Sequence, residues 1–259
     1  MTKRHKKRAG VPLYLSFLTA MMATCCEGSV LDAKSSQVVV VITEKWDSPT
    51  GSLATFSRKN SIWSAQKERI PVTVGHKGLG WGLGLHPESS EEPKKREGDR
   101  RAPAGVFALE FGFGAAALRE RAFPFRRVTD RDRWVDDPES LFYNQWVELG
   151  NPRFPKDWDS AEVMGRGDGL YDFVIVVGHN RNPIVPGRGS AIFLHSWVAP
   201  GRSTIGCTAM EKKEVKKLLQ WLDQSANPIL IQVPKLALDS LHLSDDLRGL
   251  IRENLFEEN

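Results

Sequence analysis

The chain has 259 residues, 41% hydrophobic and 26% charged, with 36 Lys and Arg against 32 Asp and Glu for a formal net charge of +4. Five of those cations, Lys3, Arg4, Lys6, Lys7 and Arg8, crowd the N-terminus; without residues 1–26 the balance falls to about −1, and the case for a nucleic-acid binder loses its basis. The length suits one large domain, and no internal repeat or low-complexity tract divides it.

In chain order, residues 11–22 follow the cations as an apolar stretch of signal-sequence length, too short to span a bilayer. A signal peptide over residues 1–27 is expected, cleaved among the small residues near 25–28. The mature chain would then be exported across the inner membrane to the periplasm or cell envelope. Acylation of Cys25 or Cys26 is the lesser alternative, because Met22 and Thr24 fit a lipobox poorly. No later stretch is long enough for a transmembrane helix, so no membrane span is expected in the mature chain.

Short β-type segments come next, at residues 37–43, 51–57, 70–74, 105–109, 145–149, 173–177, 191–195 and 228–233. The glycine-rich run around Trp81 reads as a flexible segment, and without a following helical pattern it is no phosphate loop. Residues 87–101 are charged and aperiodic, as in a long surface loop. Arg126, Arg127, Arg131 and Arg133, interleaved with Asp130, Asp132, Asp136 and Asp137, read as a solvated loop. Two helices are predicted. One spans residues 211–225 and buries Val215, Leu218, Leu219 and Leu222; the other is capped by Ser244 and buries Leu247, Leu250, Ile251 and Leu255. Few helices separate the strands, which predicts a mainly β domain over residues 37–233, a sandwich or open barrel. A helical extension follows over residues 234–259.

The chemistry centres on Cys207, the one cysteine left once the leader is removed. A lone thiol in an exported chain has no disulfide partner, and His195 lies twelve residues upstream. An imidazole that takes the thiol proton creates the nucleophilic thiolate. His195 ends an apolar run, Pro200 and Gly201 favour a return of the chain toward it, and the amides around Gly206 and Cys207 could hold an oxyanion. The same two residues also read as a buried structural thiol and a core histidine. A metal site is a weaker rival, because His76, His86, His179, His195 and Cys207 lack the short spacings of zinc ligands.

The run Phe193-Leu-His195 followed by Ser203-Thr-Ile-Gly-Cys-Thr-Ala-Met210 resembles the active-site signature of the YkuD-type L,D-transpeptidases, with His195, Thr204, Gly206, Cys207 and Met210 in matching places. Pro103-Ala-Gly105-Val-Phe107 and Val72-Thr-Val-Gly75 are similar to strands of the same family. The resemblance spans roughly residues 37–233. It differs in two places, where Ser196 stands for the usual glycine after the histidine and Ala209 for the usual arginine after the cysteine. The resemblance implies an L,D-transpeptidase-like β fold and acyl transfer on peptidoglycan stem peptides through a Cys207 thioester, without metal or organic cofactor. An L,D-carboxypeptidase and a non-catalytic wall-binding module are the alternatives. Cys207, His195 and Gly206 are then the expected catalytic residues, and Ser203, Thr204, Ser196, Arg188, Tyr143, Asn144 and His179 the expected substrate contacts. Arg188 and His179 read equally well as an exposed loop cation and a histidine capping backbone groups at a strand end. The residues specify neither the acyl acceptor nor an oligomeric state.

Overall fold

The computed structural model describes residues 32–66, 69–119 and 121–256; the expected leader over residues 1–27 lies outside the described residues. The strands are β1 (Gln37–Thr43), β2 (Thr50–Lys59), β3 (Ile62–Ala65), β4 (Ile70–Thr73), β5 (Leu79–Trp81), β6 (Ala102–Gly114), β7 (Phe125–Arg127), β8 (Asp132–Val135), β9 (Trp146–Glu148), β10 (Ala161–Val163), β11 (Val174–Val177), β12 (Phe193–Ser196), β13 (Thr208–Met210) and β14 (Ile229–Pro234), with helices α1 (Lys212–Trp221) and α2 (Asp245–Leu255). Eight strands run β1-β14-β6-β11-β12-β13-β4-β2, and the pairing of β2 with β1 closes the ring. Closure leaves these strands no free edge. The valines of β1 are buried on both faces, which is why the run is continuously apolar instead of alternating.

Alternation along β11 and β12 divides the interior. Ile175, Val177 and Leu194 enter the main core with the buried faces of α1 and α2. Val174, Val176 and Phe193 point the other way, into a second core shared with a small antiparallel sheet, β10-β8-β9. There Phe193 meets Phe113, Trp134 and Tyr171 edge to face, with ring centroids 5.2–5.9 Å apart.

The small sheet includes part of the segment expected to be a solvated loop. Asp132 is buried there and accepts hydrogen bonds from Arg126 Nη2 at 2.9 Å and Trp146 Nε1 at 2.7 Å. Interleaved charges hid a strand because the carboxylate turns inward to paired donors. Trp81, expected in a flexible segment, is buried in β5 beside β6. Gly105 of β6 is tightly constrained, with φ of +134° and the ring of His86 only 1.9 Å from where a Cβ would sit.

Both helices differ from expectation at their ends. The first stops at Trp221, because the Asp223 carboxylate captures Ser225 N–H and starts a separate 3₁₀ turn, Gln224–Ala226. Ser244 does precede α2, but its hydroxyl and amide donate to the Asp32 carboxylate, so it ties the helix to the start of the domain instead of capping it. Its apolar face joins the main core against β2 and β3. Among the described residues no helix is long and apolar enough to cross a membrane.

Candidate active site

Parallel pairing of β12 with β13 sets Leu194 opposite Thr208 and His195 opposite Ala209. Side chains alternate along each strand, so Cys207, one residue before β13, shares a face with Phe193 and His195. Cys207 joins the second core with Phe193, and both Cys207 and His195 line one cavity of about 240 Å³. Thr208 points the opposite way, to Gln232 Oε1 at 2.7 Å.

The histidine's protonation is fixed by its neighbours. Nδ1 lies 2.8 Å from the Ser196 carbonyl, which can only accept, so Nδ1 carries the proton and Nε2 keeps its lone pair. Burial lowers the His195 pKa to about 4, against a smaller opposite effect of that carbonyl contact. Tyr171 packs edge-on against the ring at 5.4 Å and sends its hydroxyl to Glu162 Oε1 at 3.1 Å. Burial also pushes the Cys207 thiol up to about 12. Its hydrogen is directed to the Ala191 carbonyl, 3.4 Å away. At rest the cavity therefore holds a neutral thiol and a neutral imidazole whose Nε2 keeps its lone pair.

The turn before the cysteine is built by Thr204, whose Oγ1 donates to the Cys207 carbonyl at 2.6 Å and accepts from Gly206 N–H at 3.1 Å. That second bond occupies the Gly206 amide, one of the two expected to hold an oxyanion. Gly206 has φ of +156°, in the region that favours glycine. Ser203 and Thr204 line the cavity with the cysteine, and Ser203 Oγ also lies 3.2 Å from His76 Nδ1.

The other expected contacts are not at the cavity. Ser196 is buried on the opposite face of β12, and its hydroxyl has no partner among the described residues. Arg188 pairs with Glu88 at 2.8 Å and lines a separate cavity. His179 is buried, accepts from Leu83 N–H through Nδ1 and donates from Nε2 to the Arg188 carbonyl; burial lowers its pKa to about 3. Asn144 is a buried clasp: Oδ1 accepts from Trp134 Nε1 and Ala191 N–H, while Nδ2 donates to the carbonyls of His179 and Asn180. Tyr143 stands behind the wall, donating to Glu97, which also accepts from Ser190 Oγ at 2.7 Å. His179, Asn144 and Tyr143 hold the cavity from outside, because each spends its polar atoms on backbone or on the wall.

Sequence reasoning missed several charged lining residues, including Lys95, Glu97, Glu162 and Arg166. Lys95 and Glu97 belong to the segment read as a surface loop, yet Lys95 is only 3% exposed. Nothing local separates a buried lysine from its solvated neighbours in such a run. The one available signal was the nearby Asp99, four residues on, with which it forms a 2.7 Å ion pair.

A closed β-barrel carrying a cysteine and a base-competent histidine on one wall of a cavity has the layout of a thiol acyl-transfer domain. The family profile for the L,D-transpeptidase catalytic domain, YkuD, matches residues 45–231, and the chain belongs to that family. Among solved structures, the helical cell shape determining protein Pgp2 from Campylobacter jejuni shares 14% identity with a TM-score of 0.38, over 77% of this chain and 49% of that one. Bd1075 from Bdellovibrio bacteriovorus shares 13% with a TM-score of 0.38, over 85% and 54%. The chain thus spans about half the length of either structure. No curated protein sequence matches it.

Proposed function

We propose that this protein is an exported L,D-transpeptidase acting on peptidoglycan stem peptides in the cell envelope, with Cys207 as nucleophile and His195 as base. The observation that carries the reading is the shared cavity of Cys207 and His195, with the imidazole held in the tautomer whose Nε2 is free.

The reaction follows from that arrangement. His195 Nε2 takes the thiol proton as Sγ attacks the carbonyl carbon of the third stem residue. The tetrahedral intermediate collapses with cleavage of the C–N bond, and the imidazolium returns the proton to the departing amine of the terminal D-amino acid. A thioester on Cys207 remains. An acceptor amine then attacks it, giving its proton to His195, and the cysteine leaves and is reprotonated. Water in place of the amine makes the same centre an L,D-carboxypeptidase.

The test is incubation of the mature protein with tetrapeptide-stem muropeptides, read by mass spectrometry for products and for an acyl adduct on the protein. Release of the terminal D-amino acid with a Cys207 adduct is expected. A joined stem dimer identifies the transferase and a free tripeptide the hydrolase. Full turnover by Cys207→Ala, or no turnover by the unaltered protein, overturns the reading.

A further inference from the structure

The family's usual arginine after the cysteine is absent here, since position 209 is an alanine paired to His195. A different cation, from more than a hundred residues upstream, lines the same cavity as the thiol. The Lys95 side chain is buried and lines the Cys207 cavity. Its Nζ lies about 4.0 Å from where a Cβ on Gly206 would sit. Two of its three hydrogens are committed, to Asp99 Oδ1 at 2.7 Å and to the Arg96 carbonyl at 2.6 Å. The third has no partner among the described residues.

The surroundings hold this ammonium in place. Asp99 also accepts from the amides of Arg96 and Arg101, so the loop is folded around the carboxylate that anchors the lysine. Gly189, at φ of +97°, leaves room for the lysine side chain; a Cβ there would stand 3.0 Å from Lys95 Cε. The other cations of the cavity are placed differently. Arg166 is bound by Glu162 and Asp168 and lies over the Tyr171 ring, and Arg202 is exposed.

We propose that Lys95 is the specificity-determining residue of the site, donating its third hydrogen to the C-terminal carboxylate of the donor stem and so selecting stems that end one residue beyond the carbonyl attacked by Cys207. This rests on the stem-peptide reading above. One residue of extended chain reaches roughly 3.5 Å, so a carboxylate one residue past a carbonyl at Cys207 stays within the cavity that Lys95 lines next to Gly206. A C-terminal amide presents no charge to it, and a stem one residue longer carries its carboxylate past it. A charge-assisted bond in a buried site is strong enough to dominate this choice.

The experiment measures binding, so that it does not depend on turnover. Cys207→Ala protein is titrated by calorimetry with a tetrapeptide stem bearing a free C-terminal carboxylate and with the same peptide as its C-terminal amide. The acid is expected to bind about tenfold tighter or more. Adding Lys95→Met should bring the two peptides within about twofold by weakening the acid alone, whereas Lys95→Arg retains a preference. Circular dichroism checks the fold of each variant. Should Lys95→Met not fold, the ¹⁵Nζ resonance of Lys95 in the Cys207→Ala protein decides, moving with the acid and not with the amide. Equal binding of acid and amide, a preference that survives Lys95→Met, or an Nζ resonance indifferent to the acid overturns the assignment to Lys95. If neither peptide binds, the stem-peptide reading falls and takes this assignment with it.

Discussion

Thiol reactivity as a function of pH gives the sharpest test of the resting site. Burial raises the Cys207 thiol to about 12, against roughly 8.5 for an exposed cysteine. At neutral pH its thiolate fraction is then lower than an exposed cysteine's by about three and a half powers of ten. A more basic thiolate is intrinsically more nucleophilic, by about half a power of ten per pKa unit, which returns roughly one and a half. The net expectation is alkylation by iodoacetamide about a hundredfold slower than in the unfolded chain at the same pH. The folded rate should climb steadily from about pH 6 to about pH 10 with no plateau. The assay is intact-mass detection of the adduct over time, folded and in denaturant, with Cys207→Ala as the blank. His195→Ala should change this alkylation little, because the ring is uncharged at rest, while lowering stem-peptide acylation by about 10²–10⁴. A plateau beginning below pH 7 would mean that the pair rests as thiolate and imidazolium, and the reasoning from burial would be refuted.

Asn144→Ala removes four hydrogen bonds and strands a buried indole N–H, an amide and two carbonyls; urea denaturation should show a loss of about 3–5 kcal/mol, and a loss below about 1 kcal/mol would contradict the clasp. His179 has its pKa lowered from 6.5 to about 3 on folding, so the folded state binds fewer protons between those values, and the stability this gives is present above about pH 6.5 and lost as pH falls toward 3. That amounts to about 3 kcal/mol lost by pH 4.5 from this group alone. Comparing the fall in urea midpoint between about pH 7 and about pH 4.5 for the unaltered protein and for His179→Gln isolates it, since the carboxylates titrate in both; identical falls would count against it.

Legibility in the sequence followed how local each signal was. The valine run of β1 and the apolar stripes of α1 and α2 could be read because period and β-branching are properties of neighbouring residues. The same holds for the cysteine motif, where Thr204, Gly206 and Cys207 build one turn out of adjacent positions. The end of α1 was misplaced because a single carboxylate, Asp223, outcompetes the next helical turn. Strands β7 and β8 went unread because a buried carboxylate, Asp132, ties them to each other through Arg126 and to β9 through Trp146, a role that a charged run does not announce. His179, Tyr143 and Asn144 were expected to face the cavity and instead hold residues around it, since a polar side chain beside a cavity looks the same in sequence as one holding its wall.

By itself the sequence determined that the chain is mainly β and singled out Cys207 and His195 as the candidate pair, because strand periodicity and the spacing of a short motif are written in contiguous residues. Only the tertiary structure decided that the ring of strands closes, that the imidazole rests neutral with Nε2 free, and that a buried Lys95 lines the cavity of Cys207. Those depend on burial and on partners far apart in the chain, and neither desolvation nor a long-range contact leaves a mark on local order.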